Sequence, residues 1–185
     1  MFNHKKLNDM RIRYFAFIIS LICNTVVKSQ SLKETEDWIK QKFEEFEYTA
    51  KGQINSKSWL IRFTYVPDFS NKGELWITEN KFSNPPGETK TTLYIIPIKY
   101  MKSIKYDYVD NCVYVLFSVK NEDKLSSKDN IRVLESNSKE FDESYLQFAI
   151  DFDNKFKDDD MPNRFKKAFD HLIELNGGSI VKDVF

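Results

Sequence analysis

The sequence predicts an α+β fold: an N-terminal helix, about seven antiparallel strands meandering into a bent sheet or a barrel, and a C-terminal helix that caps it. Three observations carry this expectation. Between residues 58 and 152, aromatic and β-branched residues gather in short runs, several alternating at period two, and clusters of Pro, Gly, Asn and Asp separate them. On either side of that stretch the apolar residues recur at helical spacing instead. The connections are short, so strands adjacent in sequence are expected to pair as hairpins.

The first thirty residues stand outside this plan. His4, Lys5, Lys6, Arg11 and Arg13 face one acid, Asp9, and an uncharged run at 14–27 (YFAFIISLICNTVV) follows. Small residues then occupy the −3 and −1 positions, in Val27-Lys28-Ser29. Basic, apolar, small is the order of a secretory signal peptide. The apolar run has 14 residues, about 21 Å as a helix, against a hydrocarbon core of roughly 30 Å. Residues 1–29 therefore read as a cleaved signal peptide, with a retained anchor as the alternative because Asn24 and Thr25 are only mildly polar, and 30–185 as a single globular α+β domain with no membrane span after cleavage, exported to the periplasm or secreted. Ile22 before Cys23 does not suit lipidation. The absence of an N-x-S/T acceptor points away from a glycosylated eukaryotic ectodomain and toward a bacterial exported protein.

The first helix is expected over 32–48. Ser31-Leu32-Lys33-Glu34 has the capping-box pattern, and Trp38, Ile39, Phe43 and Phe46 form its apolar stripe; Gly52 and Asn55 are expected to end it. Strands follow at 58–66, 73–80, 91–98, 102–108, 112–119, 131–136 and 144–152. Turn clusters separate them: Pro67 to Gly73, Asn84-Pro85-Pro86-Gly87, Asp110-Asn111, and a polar loop at 121–130. Pro97 lacks a ladder donor and marks a strand end, edge or bulge. Val113, Val115, Phe117 and Val119 share one face. In the last helix Asp160 is placed to be the N-cap and Pro162 sits near the first position. Phe165, Ala168, Phe169, Leu172 and Ile173 make the stripe, and Gly177-Gly178 the stop.

The closing segment NRFKKAFDHLIELNGG resembles the C-terminal helix of pleckstrin-homology-like barrel domains in exported proteins of unknown function. The resemblance is one of element order over residues 57–176. It implies a seven-stranded barrel closed by this helix. The phosphoinositide site of the eukaryotic relatives does not carry over, because it needs a basic first hairpin loop; here Lys72 stands against Asp68.

The inventory narrows the chemistry. The chain has 28 bases and 28 acids; removing the leader's five and one leaves a net charge of −4, without the concentrated basic face that nucleic acid requires. Of the titratable metal ligands softer than carboxylate, the mature domain keeps Cys112 and His171 alone, too few for a zinc site. The acids Asp151, Asp153, Asp158, Asp159 and Asp160 lack the glycine and spacing of a calcium loop. No metal or cofactor is expected. No phosphate loop or nucleophile elbow occurs, and a Cys112–His171 pair has no surrounding motif. The surplus of aromatics is more suggestive. Trp59, Trp76, Tyr94 and Tyr106 are the candidate ligand-binding residues, lining a groove for a protein, a peptide, a sugar or a small apolar ligand. The function expected is that of an exported, non-enzymatic binding or interaction domain. The alternatives are a carboxylate-dependent hydrolase, recognisable by two acids converging in a pocket, or a structural cell-envelope protein.

Overall fold

The computed structural model describes residues 31–109, 112–120, 129–136 and 142–180. The signal peptide expected at 1–29, the turn expected at Asp110-Asn111 and residues 121–128 of the expected polar loop lie outside the described residues. Helix α1 spans Leu32–Glu45 and β1 Tyr48–Ile54. Then come β2 Lys57–Asp68, β3 Glu74–Asn84, β4 Glu88–Pro97, β5 Lys105–Val109 and β6 Cys112–Ser118. The chain continues through β7 Ile131–Glu135, β8 Asp142–Tyr145 and β9 Gln147–Asp153, and closes with α2, Met161–Leu175. Every strand pairing is antiparallel. The expected α+β order of helix, antiparallel strands, helix is therefore the order seen.

Three details differ from expectation, each for a physical reason. Helix α1 stops at Glu45 rather than running to Tyr48. The Phe46 N–H still bonds the Lys42 carbonyl at 3.2 Å, but the Phe46 carbonyl accepts from the Asp153 N–H at 3.3 Å, and this drags the chain onto the sheet. The residues Gly52 and Asn55, expected to end the helix, belong instead to a strand and its hairpin. Asn55 and Ser56 both take positive φ, 50° and 62°, as a two-residue hairpin turn demands. The segment YTAKGQI is too polar to announce itself as a strand; β2 recruits it through the ladder from Tyr48↔Phe63 to Ile54↔Lys57.

The strand expected at 144–152 is two strands. Leu146 sits between them, 42% exposed, and its carbonyl accepts from the Val119 N–H at 2.9 Å. There the chain changes sheet. Strand β8 ends a six-stranded sheet of order β1-β2-β3-β4-β7-β8, and β9 belongs to a three-stranded sheet of order β5-β6-β9. Among the described residues no pairing closes a barrel; the bent-sheet alternative, divided into two sheets, is the one that holds.

The core lies between the six-stranded sheet, the smaller sheet and the two helices. Phe43 of α1, Phe152 of β9, Phe156 of the following turn and Phe165 of α2 are fully buried and meet mostly edge to face, at centroid distances of 5.0–5.8 Å. Val113, Val115, Phe117 and Val119 all face inward, as their alternation predicts. In α2, Phe165, Phe169, Leu172 and Ile173 are fully buried, each stabilising the fold by roughly 1.5–3 kcal/mol. Asp160 holds the N-cap position, but with φ 56° and no side-chain cap; its carboxylate takes the Asn163 amide instead. Gly177, at φ +76°, lets the chain turn back so that the Gly178 N–H reaches the Ile173 carbonyl at 2.9 Å.

Candidate functional site

One face of the six-stranded sheet begins in the core and ends outside it. Leu75 and Ile77 of β3 are fully buried, and period two carries the same face on to Glu79 and Lys81. Glu79 lies opposite Tyr65 on β2 and Thr92 on β4; Lys81 lies opposite Phe63 and Lys90. Thr92 lies opposite Glu135 of β7, and Tyr94 opposite Val133. Where this face leaves the core, Tyr145, Gln147, Phe148 and Ala149 form the other wall of a groove of about 420 Å³, within the usual range for small-molecule sites.

Its aromatic wall is fixed. Tyr94 stacks on Phe148 at 4.4 Å and 12°, and Phe148 stacks on buried Phe117 at 5.1 Å and 18°. The ring of Phe63 carries the Lys81 ammonium 5.5 Å from its centroid. Lys90 and Glu135 pair across the strands at 2.8 Å. Glu79, half-buried, makes no hydrogen bond or ion pair among the described residues. Burial pushes its carboxyl above the ordinary range, and the nearby Asp151 pushes it further, against the pull of Lys81 and Lys90. Asp151 stands one strand step beyond Ala149. Burial raises it too, while the Tyr65 hydroxyl and Lys81 hold it down. The Asp151 N–H donates to the Tyr65 oxygen at 3.0 Å, so β9 is tied to β2 directly behind Glu79. Burial and then Glu79 and Glu135 raise the Tyr94 phenol, which stays neutral at physiological pH.

Of the four aromatics singled out by sequence, Tyr94 alone lies in this groove. Trp59 is near the far end of the β1–β2 hairpin, beside Lys51, Gln53, Leu60 and Asn84. Its ring crosses Gly52 so closely that a Cβ there would stand 2.7 Å from it. Trp76 is on the opposite face of the sheet, where its indole N–H donates to Glu74 at 2.9 Å and Glu74 pairs with Arg132. Tyr106 is a structural tether: its hydroxyl donates to the Pro162 carbonyl at 2.6 Å and its ring packs on Phe156. Glu79 and the partners around it are not among the residues that composition singles out. The signal was there, in a carboxylate two places beyond Ile77 and four beyond Leu75 on what period two makes the core-facing side of β3.

The acids before α2 do not converge. Asp153 caps the next turn through the Lys155 N–H at 2.9 Å, Asp160 holds Asn163, and Asp151 turns toward Tyr65. Among the described residues no group of three potential metal ligands occurs. Cys112 lies beside Tyr48 and Tyr114, and burial pushes its thiol up, away from the reactive thiolate. No helix of the described residues is long and apolar enough to cross a membrane. Comparison of the chain with known proteins finds no matching family model, no matching curated protein and no matching solved structure.

Proposed function

We propose that this chain is an exported, non-enzymatic binding domain whose ligand occupies the groove between the six-stranded sheet and β9. One observation carries the reading: an aromatic wall locked by the Tyr94–Phe148–Phe117 stack faces a half-buried carboxylate, Glu79, that no other described group neutralises. A rigid apolar wall with a few polar groups aimed across it is the arrangement that binds small ligands. The leader at 1–29 supports export. The test is a fragment screen by protein NMR. Compounds that bind should shift the amides of Glu79, Tyr94 and Phe148 together, and Tyr94→Ala should abolish those shifts while the rest of the spectrum persists. A screen whose binders all map elsewhere would end this reading.

A carboxylate-dependent hydrolase is the second reading, favoured by the joint upward displacement of Glu79 and Asp151. Two neighbouring carboxyls, both raised by burial, are residue types that can serve as general acid and general base. It requires turnover of a glycoside or ester that Glu79→Gln abolishes. Binding without turnover leaves the first reading standing.

A further inference from the structure

The ligand's charge follows from the groove's own ions. The lining sets Glu79 and Glu135 against Lys81 and Lys90, and Asp151, outside the lining, stands close enough to act on Glu79. Lys90 and Glu135 satisfy each other at 2.8 Å. Lys81 lies over the Phe63 ring, and among the described residues it is within ion-pair distance of neither Glu79 nor Asp151. Glu79 and Lys81 remain in the lining, Asp151 adds a second negative charge nearby, and Glu79 is half-buried with no hydrogen bond or ion pair among the described residues. A neutral ligand would bury that carboxylate further and at most donate a hydrogen bond to it, leaving its charge uncompensated. An anion would add repulsion. A cation supplies the missing partner, and the face of Phe63 already holds one ammonium in this groove.

We propose that the groove binds a small organic cation, an ammonium or guanidinium on a hydrocarbon body, with Glu79 as its counter-ion and the Tyr94 and Phe63 rings as its walls. The proposal rests on the groove being the ligand site. Asp151 adds to the negative field from behind Glu79, and Lys81 opposes it. The volume of about 420 Å³ suits a molecule of one ring and a short chain rather than a folded partner.

The experiment is a pair of NMR titrations of the purified full chain at neutral pH, one with phenethylamine and one with 2-phenylethanol, its uncharged counterpart. The amine is expected to shift Glu79, Tyr94 and Phe148 and to bind at least about tenfold more tightly than the alcohol. Glu79→Gln should remove that preference, and Lys81→Gln should tighten the amine. Equal binding of amine and alcohol at these residues would overturn the cation proposal and leave the groove as the site. Silence of both compounds would also overturn it, and if the fragment screen were silent at the groove as well, the binding reading would fall with it.

Discussion

Glu79 and Asp151 tie stability to pH in a definite direction. Both carboxyls sit above their ordinary range in the folded chain because burial disfavours the charged form. The folded state therefore binds more protons than the unfolded one. Their contribution is fully present below the unfolded carboxylate pKa of about 4 and is lost as pH rises through the raised values. Glu79→Gln should accordingly raise the melting temperature at neutral pH, with the gain shrinking toward pH ~4; melts of both proteins across that window check it. A gain independent of pH would mean that the carboxyl is not desolvated. At Gly52 the conflict is steric. A methyl group at 2.7 Å from the Trp59 ring forces that ring outward. Gly52→Ala should shift tryptophan emission to the red while changing stability by less than about 1 kcal/mol, since the ring is the free end of a side chain.

Among the elements, α2 bears the most burial, and two substitutions separate its packing from its tethering. Phe169 is fully buried between Phe117 and Phe165, so Phe169→Ala should cost about 3–5 kcal/mol by urea denaturation. Tyr106→Phe removes only the 2.6 Å bond to the Pro162 carbonyl and should cost roughly 0.5–1.5 kcal/mol. The stripe of α2 was legible in sequence because Phe165, Phe169, Leu172 and Ile173 repeat at helical spacing and all four are buried. Strand β1 was not legible, since Lys51, Gly52 and Gln53 have no strand pattern of their own and are held by β2. The break at Leu146 was hidden for the opposite reason. Alternation continues through it, and the long-range bond from Val119 decides that the chain changes sheets there.

For the whole molecule, the fold class could be read from residue patterns, whereas the groove could not. Period two identified which residues share a face of β3, but the meeting of Glu79 with Tyr145, Phe148 and Ala149 depends on how β9 crosses the larger sheet, and no local pattern encodes that. The aromatic residues Trp59, Trp76 and Tyr106 looked equivalent to Tyr94 by composition and were separated by register alone. The signal peptide expected at 1–29 is testable at this scale. Mass spectrometry of exported material should find an N-terminus at Gln30 or its cyclised form; membrane-bound protein with Met1 intact would contradict a cleaved signal.

Strands β2 and β3 have 12 and 11 residues, whereas those of the smaller sheet have five to seven. The larger sheet thus outruns its cover. Residues 53–58 and 84–90 are exposed, and Ile54 is 66% exposed. Backbone ladders without buried side chains open at low free energy, independently of the rest. Amide hydrogens of Gln53, Ser58 and Thr89 should exchange orders of magnitude faster than those of Ile77, Val115 and Ile150. Among the described residues, trypsin should nick first at the exposed β1–β2 tip, after Lys57, and leave the remainder folded. The protruding hairpins would then be the compliant part of the molecule, able to move against the rigid wall at Tyr94 without disturbing the core that holds it.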